Sequence, residues 1–305
     1  MTSGRGWKGV ARAATARALR YSGAPYVIRR TAARGAVTIL LYHDPPADLL
    51  EQHLRYLAGR YRFTTLDAAV DAIASGDWSQ VPERAAVLTL DDGHRGNHAL
   101  LPLFRRFGVR PTIYLCSQIV GTERRFWFQE PVRTQELKRL PNRERLDALK
   151  RLTGFEQERA HLGEPRQALS RDEILEMAPW VDFGAHTRFH PILPQCDDAE
   201  AWEEIAGSKR DLEALLGREV RHFAYPNGDY TVREIEYVRR AGFASARTTD
   251  VGWTVRTSDP FRLAMTGITD DASVDMLAVQ LSGIVSTARR LVRRGRSAGA
   301  APPSP

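Results

Sequence analysis

Short apolar runs alternate along the chain with longer segments whose apolar residues recur every three or four positions. The runs at 37–42, 85–90, 111–115, 181–185, 221–225 and 243–247 predict strands, being short and rich in aliphatic, β-branched and aromatic residues. The segments 47–59, 66–75, 97–107, 170–178, 198–216 and 231–241 predict helices between them. Gly108 after Phe107 and Gly242 after Ala241 fit helix C-caps that feed the next strand. Such alternation argues for a parallel sheet, closed or nearly closed into a (β/α) barrel. The sequence holds no internal repeat.

The second run ends in Leu90-Asp91-Asp92-Gly93. A buried strand that delivers two adjacent carboxylates to its C-terminal edge sets like charges side by side, and burial worsens the repulsion. Chains tolerate this when a cation sits between the two or when one carboxylate holds a proton. The pair therefore points to a metal site or to acid/base chemistry. Downstream, His186-Thr187-Arg188-Phe189-His190-Pro191 offers two histidines three residues apart. Two imidazoles, one carboxylate and open positions for water describe a catalytic zinc-type site. A helical metalloprotease needs Glu directly after the first His, and Thr187 stands there. Gly184 before the pair and Pro191 after it suggest a strand end running into a loop.

At these residues the chain resembles the polysaccharide deacetylases, the NodB-homology group of carbohydrate esterases. Thr89-Leu90-Asp91-Asp92-Gly93 is similar to the family's first motif, T-F-D-D-G, and His186 to Pro191 to its second, H-[ST]-x-x-H-P. Phe223-Ala224-Tyr225-Pro226-Asn227-Gly228 is similar to the F-A-Y-P-x-G variant of the third. Ile39-Leu40-Leu41-Tyr42-His43 resembles the L-x-Y-H strand of an exopolysaccharide-deacetylase subgroup. The resemblance spans residues 37 to about 266. It implies a distorted (β/α) barrel of about seven parallel strands. It also implies that Asp92, His186 and His190 bind a divalent metal, with Asp91 as general base toward a metal-acidified water. A backbone N–H near Asn227, in the turn Tyr225-Pro226-Asn227, would hold the oxyanion.

The chain departs from the family pattern in two places. Members often protonate the leaving amine with a histidine of a late L-x-H motif, but no histidine follows His222. His43, at the end of the first predicted strand, is the candidate replacement, because strand ends meet on the active-site face of such barrels; the alternative is a core histidine bonded to backbone. The third motif often carries an Arg that orients the base, and Ala224 stands at its place. The sequence leaves open whether Arg262 or another basic residue substitutes.

Residues 121–170 interrupt the alternation between the first and second motifs, where an insertion lies near the mouth of the site. Arg124-Arg125-Phe126-Trp127-Phe128-Gln129 is aromatic and basic, and a charged helical segment follows to Leu152. Trp127 and Phe128 are candidates to stack against sugar rings; the commoner alternative is that they pack a lid helix onto the body. His94, His98, His161 and His222 read as loop or surface residues, and His53 as solvated on its helix. Asp250 and Asp259 read as turn residues. Cys116 and Cys196 lack metal-type spacing and read as a buried thiol and a loop thiol.

With 305 residues and 43% apolar content, the chain can bury the core of one large α/β domain. It has no apolar run of membrane-span length and no signal-peptide core, so the expectation is a cytoplasmic protein. The net charge of +7 sits at the ends, where residues 1–36 and 288–305 hold thirteen cations and no acid. Three parts follow: a basic N-terminal helical segment (1–36), a catalytic domain (37–287) and a basic, disordered tail (288–305). Wound into a helix, Trp7, Val10, Ala11, Ala14, Ala18 and Tyr21 face away from Arg5, Lys8, Arg12 and Arg20. That is the pattern of an interfacial helix on anionic lipid, or of a solvated helix packed on the barrel. No nucleic-acid reading module accompanies the charge. The expected function is metal-dependent removal of N-acetyl groups from a glycan, exopolysaccharide precursor or glycolipid sugar, with zinc the ion that suits two His and one Asp. O-acetyl ester hydrolysis, or a catalytically silent glycan-binding scaffold, are the alternatives.

Overall fold

The computed structural model describes residues 13–31 and 33–283. Trp7, Val10 and Ala11 of the expected interfacial helix, with its cations Arg5, Lys8 and Arg12, lie outside the described residues, as does the tail 288–305. Among the described residues, no helix is long and apolar enough to cross a membrane.

The strands are β1 (Val37–Tyr42), β2 (Arg62–Phe63), β3 (Ala85–Leu90), β4 (Thr112–Leu115), β5 (Asp182–Ala185), β6 (His222–Ala224), β7 (Ser245–Val251) and β8 (Leu263–Gly267). Seven of them, all parallel, close into a barrel in the order β1-β3-β4-β5-β6-β7-β8 and back to β1. β2 pairs with the first residues of β3, and β4 with its last. All six predicted strands are present; β2 and β8 were not anticipated. The barrel is distorted where β5 meets β6 through Ala185 and Phe223 alone, and where the β7–β8 register slips between Arg247 and Val251.

Every residue of β1 and β3 is buried, and alternate residues serve two cores. Leu40, Tyr42, Leu88 and Leu90 pack with Leu50, Leu54 and Phe104 of the surrounding helices. Ile39, Leu41 and Val87 turn the other way, into a cluster with Tyr114, Ala224 and Leu263. Each such fully buried side chain contributes about 1.5–3 kcal/mol of apolar transfer. Helix Leu66–Ser75 adds Leu66, Ala69 and Val70 to the second cluster beside Val37 and Ala85, so it lies across the strand starts. That leaves the C-terminal strand ends as the face for chemistry.

Helices Arg171–Met177 and Val232–Arg240 each begin with a capping box, Ser170 with Glu173 and Thr231 with Glu234. The single helix expected over 198–216 is instead broken by a π-turn at Glu203–Gly207. The insertion contributes helix Asn142–Thr153 and its own small core of Trp127, Leu137, Leu149, Phe155 and Ile192.

His53 and His222 are buried, against expectation, as is His94. His53 lies between the Tyr42 hydroxyl at 3.0 Å and the Ala272 carbonyl at 2.7 Å, so it is a core residue. His222 opens β6, with Ser245 Oγ at 2.8 Å and Asp67 Oδ1 at 3.0 Å. Cys116 and Cys196 are both buried free thiols.

Candidate active site

β3 ends at Leu90, and the chain turns at once. Asp91 donates its backbone N–H to the Tyr42 carbonyl at 3.0 Å, and Asp92 and Gly93 both take left-handed backbone, each with φ 72°. A Cβ on Gly93 would meet Leu115 Cδ2 at 2.6 Å, so only glycine fits the turn. At the end of β5, His186 N–H bonds the Leu115 carbonyl at 2.9 Å and the chain loops through Thr187 to His190. The Thr187 hydroxyl accepts from His190 N–H at 3.0 Å, while the Glu204 carboxylate accepts from Arg188 and Phe189 N–H at 2.8 and 2.9 Å. Among the described residues, the non-glycine positions with positive φ are Arg84, Asp92, Thr187, His190 and Asn227. All but Arg84 belong to the three motif loops, which is where backbone strain concentrates in functional sites.

These turns gather four of the expected site residues. Asp92 Oδ1 lies 3.5 Å from His186 Nε2 and 3.4 Å from His190 Nε2, and the two imidazoles stand 4.8 Å apart. Asp91 Oδ2 lies 3.8 Å from His186 Nε2. His186 Nδ1 faces the Ala224 carbonyl at 2.8 Å, which only accepts; Nδ1 therefore carries a hydrogen, and in the neutral ring that leaves the lone pair on Nε2. Burial pushes the His190 imidazole down to about 3, against the pull of Asp92, so it is neutral at neutral pH. Burial alone would raise the Asp92 carboxyl, but the His94 hydrogen bond and the imidazoles of His190 and His186 outweigh it and hold Asp92 below the usual carboxylate range.

Lone pairs thus converge on one point. Asp92 Oδ1 is buried with no hydrogen-bond partner, an expense that proteins avoid unless something else satisfies the atom. One ligand atom each from Asp92, His186 and His190 lies within 4.8 Å of the others. A divalent cation meets that need: the donor set is two imidazole nitrogens and one carboxylate oxygen, all deprotonated.

Asp91 has a different partner. Arg247 of β7, wholly buried, directs Nη2 at both Asp91 oxygens, 2.5 Å from Oδ1, and donates Nη1 to the Thr248 carbonyl at 3.0 Å. A cation thus faces Asp91 from β7, where the third motif itself offers only Ala224. Arg262 does not substitute, since its Nε points to the Tyr230 hydroxyl at 3.1 Å. Sequence reading missed Arg247, although an arginine inside a buried strand needs an acid opposite it.

His94, expected to be a loop or surface residue, is 7% exposed and directs Nε2 at Asp92 Oδ2, 3.0 Å away. Trp127 is 2% exposed and donates its indole N–H to the His190 carbonyl at 2.8 Å, with Arg145 over its ring. It has no face left for a sugar, so the stacking expectation gives way to the packing one. Phe128, only partly buried, has its ring 4.6 Å from that of His190. Tyr225 is buried, stacked on Tyr230 and bonded to the Phe261 carbonyl at 3.2 Å; Pro226 is buried and Asn227 exposed. The Asn227 side chain accepts a 2.6 Å bond from Lys138 of the insertion, whose pKa burial lowers. His43 is exposed at the end of β1, and among the described residues its ring makes no hydrogen bond. Its loop is held by Asp270, which accepts from His43 N–H at 3.1 Å and Asp44 N–H at 2.9 Å.

A sequence model of the polysaccharide deacetylase family matches residues 79–246, more than half of the chain. No curated protein matches the chain in sequence. Several solved structures share the fold. The Streptococcus pyogenes deacetylase PplD, in complex with acetate, is 17% identical over 81% of this chain and 98% of its own, with a TM-score of 0.60. IcaB from Ammonifex degensii is 20% identical over 81% and 97%, also with a TM-score of 0.60. A de-N-acetylase from Aggregatibacter actinomycetemcomitans is 15% identical over 80% and 99%, with a TM-score of 0.56.

Proposed function

Because the chain belongs to the polysaccharide deacetylase family, we propose that it hydrolyses N-acetyl groups on a glycan, exopolysaccharide precursor or glycolipid sugar. A divalent cation, zinc by its donor set, would be held by Asp92, His186 and His190. The observation that carries this reading is the convergence of three lone pairs beside a carboxylate gripped by a buried arginine. Such a cation, when bound, supplies a Lewis acid and lowers the pKa of a bound water toward neutrality.

The chain's own residues then divide the work. Asp91 takes the proton of the attacking water, and Arg247 fixes the direction of its carboxylate. A backbone N–H of the Tyr225-Pro226-Asn227 turn faces the oxyanion of the tetrahedral species. His43, on the loop anchored by Asp270, gives a proton to the leaving amine. Trp127 supports His190 from behind.

Acetate release from N-acetylglucosamine oligomers and from a lipid-linked N-acetyl sugar tests the reading. Metal-stripped protein should be inactive, added zinc or cobalt should restore release, and Asp91→Asn should abolish it. Release from O-acetylated sugars alone would make the enzyme an esterase. Stoichiometric metal with no release from any acetylated sugar would favour a silent scaffold.

The same reading puts the protein in the cytoplasm, against the inner face of the membrane through residues 1–36. Tyr21, Tyr26 and Val27 support it, being 70%, 52% and 55% exposed, with Arg30 bonded to the Tyr26 hydroxyl. Aromatic and cationic side chains together suit an anionic lipid surface. Liposome flotation that rises with anionic lipid supports this, and binding indifferent to lipid charge removes it.

A further inference from the structure

His94 takes no part in the mechanism above, yet it is the one side chain that hydrogen-bonds Asp92 among the described residues. An ionised carboxylate only accepts, so His94 Nε2 carries the hydrogen and donates it to Oδ2. That leaves Oδ1 as the oxygen facing His186 and His190. The ring is held from both sides. Phe126, fully buried, packs 5.1 Å from it, and the Gln129 amide reaches Nδ1 at a long 3.5 Å. Both come from the insertion. On its outer side the imidazole forms a wall of a cleft of about 520 Å³, with Asp44 and Arg166 among the other walls.

We propose that His94 is a positioning residue that commits Asp92 to the metal through Oδ1 alone. This rests on the metal-dependent reading above. A carboxylate free at both oxygens can swing and bind through two; one tied at Oδ2 offers a single donor in a fixed direction. Hydrogen bonds to ligating side chains of this kind typically govern 10–100-fold in metal affinity. A one-oxygen carboxylate with two imidazoles suits a small ion of low coordination number, whereas a large oxygen-seeking ion such as calcium prefers a carboxylate that can bind through both oxygens.

Two variants separate the hydrogen bond from the packing. His94→Phe keeps a ring against Phe126 and removes the donor; His94→Gln keeps a donor near the Nε2 position and removes the ring. Zinc affinity is read by competition with a chromophoric chelator, and geometry by the visible spectrum of the cobalt protein. His94→Phe should bind zinc roughly 10–100-fold more weakly, with an altered cobalt spectrum. His94→Gln should stay within a few-fold of the wild type, with its spectrum unchanged. If the Phe variant fails to fold by circular dichroism, His94→Ala takes its place. Unchanged affinity and spectrum without the donor would overturn the proposal, as would equal losses in both variants. A wild-type protein that binds no zinc would instead overturn the metal-dependent reading itself.

Discussion

Arg247 on β7 and Asp91 at the end of β3 form a buried two-oxygen ion pair between residues 156 positions apart. Lysine has no second nitrogen to keep the Thr248 carbonyl while it grips Asp91, so Arg247→Lys should rescue Arg247→Ala poorly. Both should lose about 10²–10³ in kcat/KM, while zinc affinity moves only a few-fold. Chelator competition beside steady-state kinetics checks the split. A parallel collapse of metal binding would mean that Arg247 supports the whole site rather than the base.

Asp91→Asn keeps the shape and removes the proton acceptor. The expected result is full metal occupancy with turnover reduced about 10²–10⁴-fold, the usual weight of a general base. Metal analysis of the purified variant, set against its rate, decides it. Near-normal turnover would take Asp91 out of the reaction.

Glu204 gives a pH prediction. Burial pushes its carboxyl up to about 7, against two backbone N–H bonds that favour the charge. A folded-state value above the ordinary 4.5 means that the fold keeps a proton which the unfolded chain releases. Its contribution to stability is therefore full below about pH 4.5 and drains away as pH rises through about 7. Metal-free Glu204→Gln should lose less Tm than the wild type between about pH 5 and pH 8. The gap should correspond to about 1–3 kcal/mol, at roughly 2–4 °C per kcal/mol. Parallel Tm profiles would refute this.

Trp127→Phe removes the indole N–H from the His190 carbonyl and leaves an aromatic in the insertion core. A stability loss of about 0.5–1.5 kcal/mol is expected, with weaker zinc binding. Binding of soluble glycan fragments to metal-free protein should not change. A selective loss of glycan binding would restore the stacking role.

The two candidate site pairs were readable because each is local: Asp91-Asp92 and His186-x-x-x-His190 need only a few residues to declare themselves. β1 and β3 were the most readable of the six predicted strands, because burial on both faces leaves a near-continuous apolar run. β8 was not, since Leu263-Ala-Met-Thr-Gly is short and mixed, and becomes a strand only by closing the ring onto β1. Arg247 was missed for the same reason, its partner lying far away in sequence. The buried histidines were misread because an imidazole enters a core whenever distant groups satisfy it, as Ala272 does for His53 and Asp67 for His222.

The bond from Trp127 to His190 joins residues 63 positions apart, one in the insertion beside the mouth and one in the donor set. In evolutionary terms, this ties two traits together. On the proposed function, substitutions that reshape the insertion would also shift the support beneath His190. Changes of substrate range would then be constrained by ion retention, and the freest would be those that leave the Trp127 indole where it is.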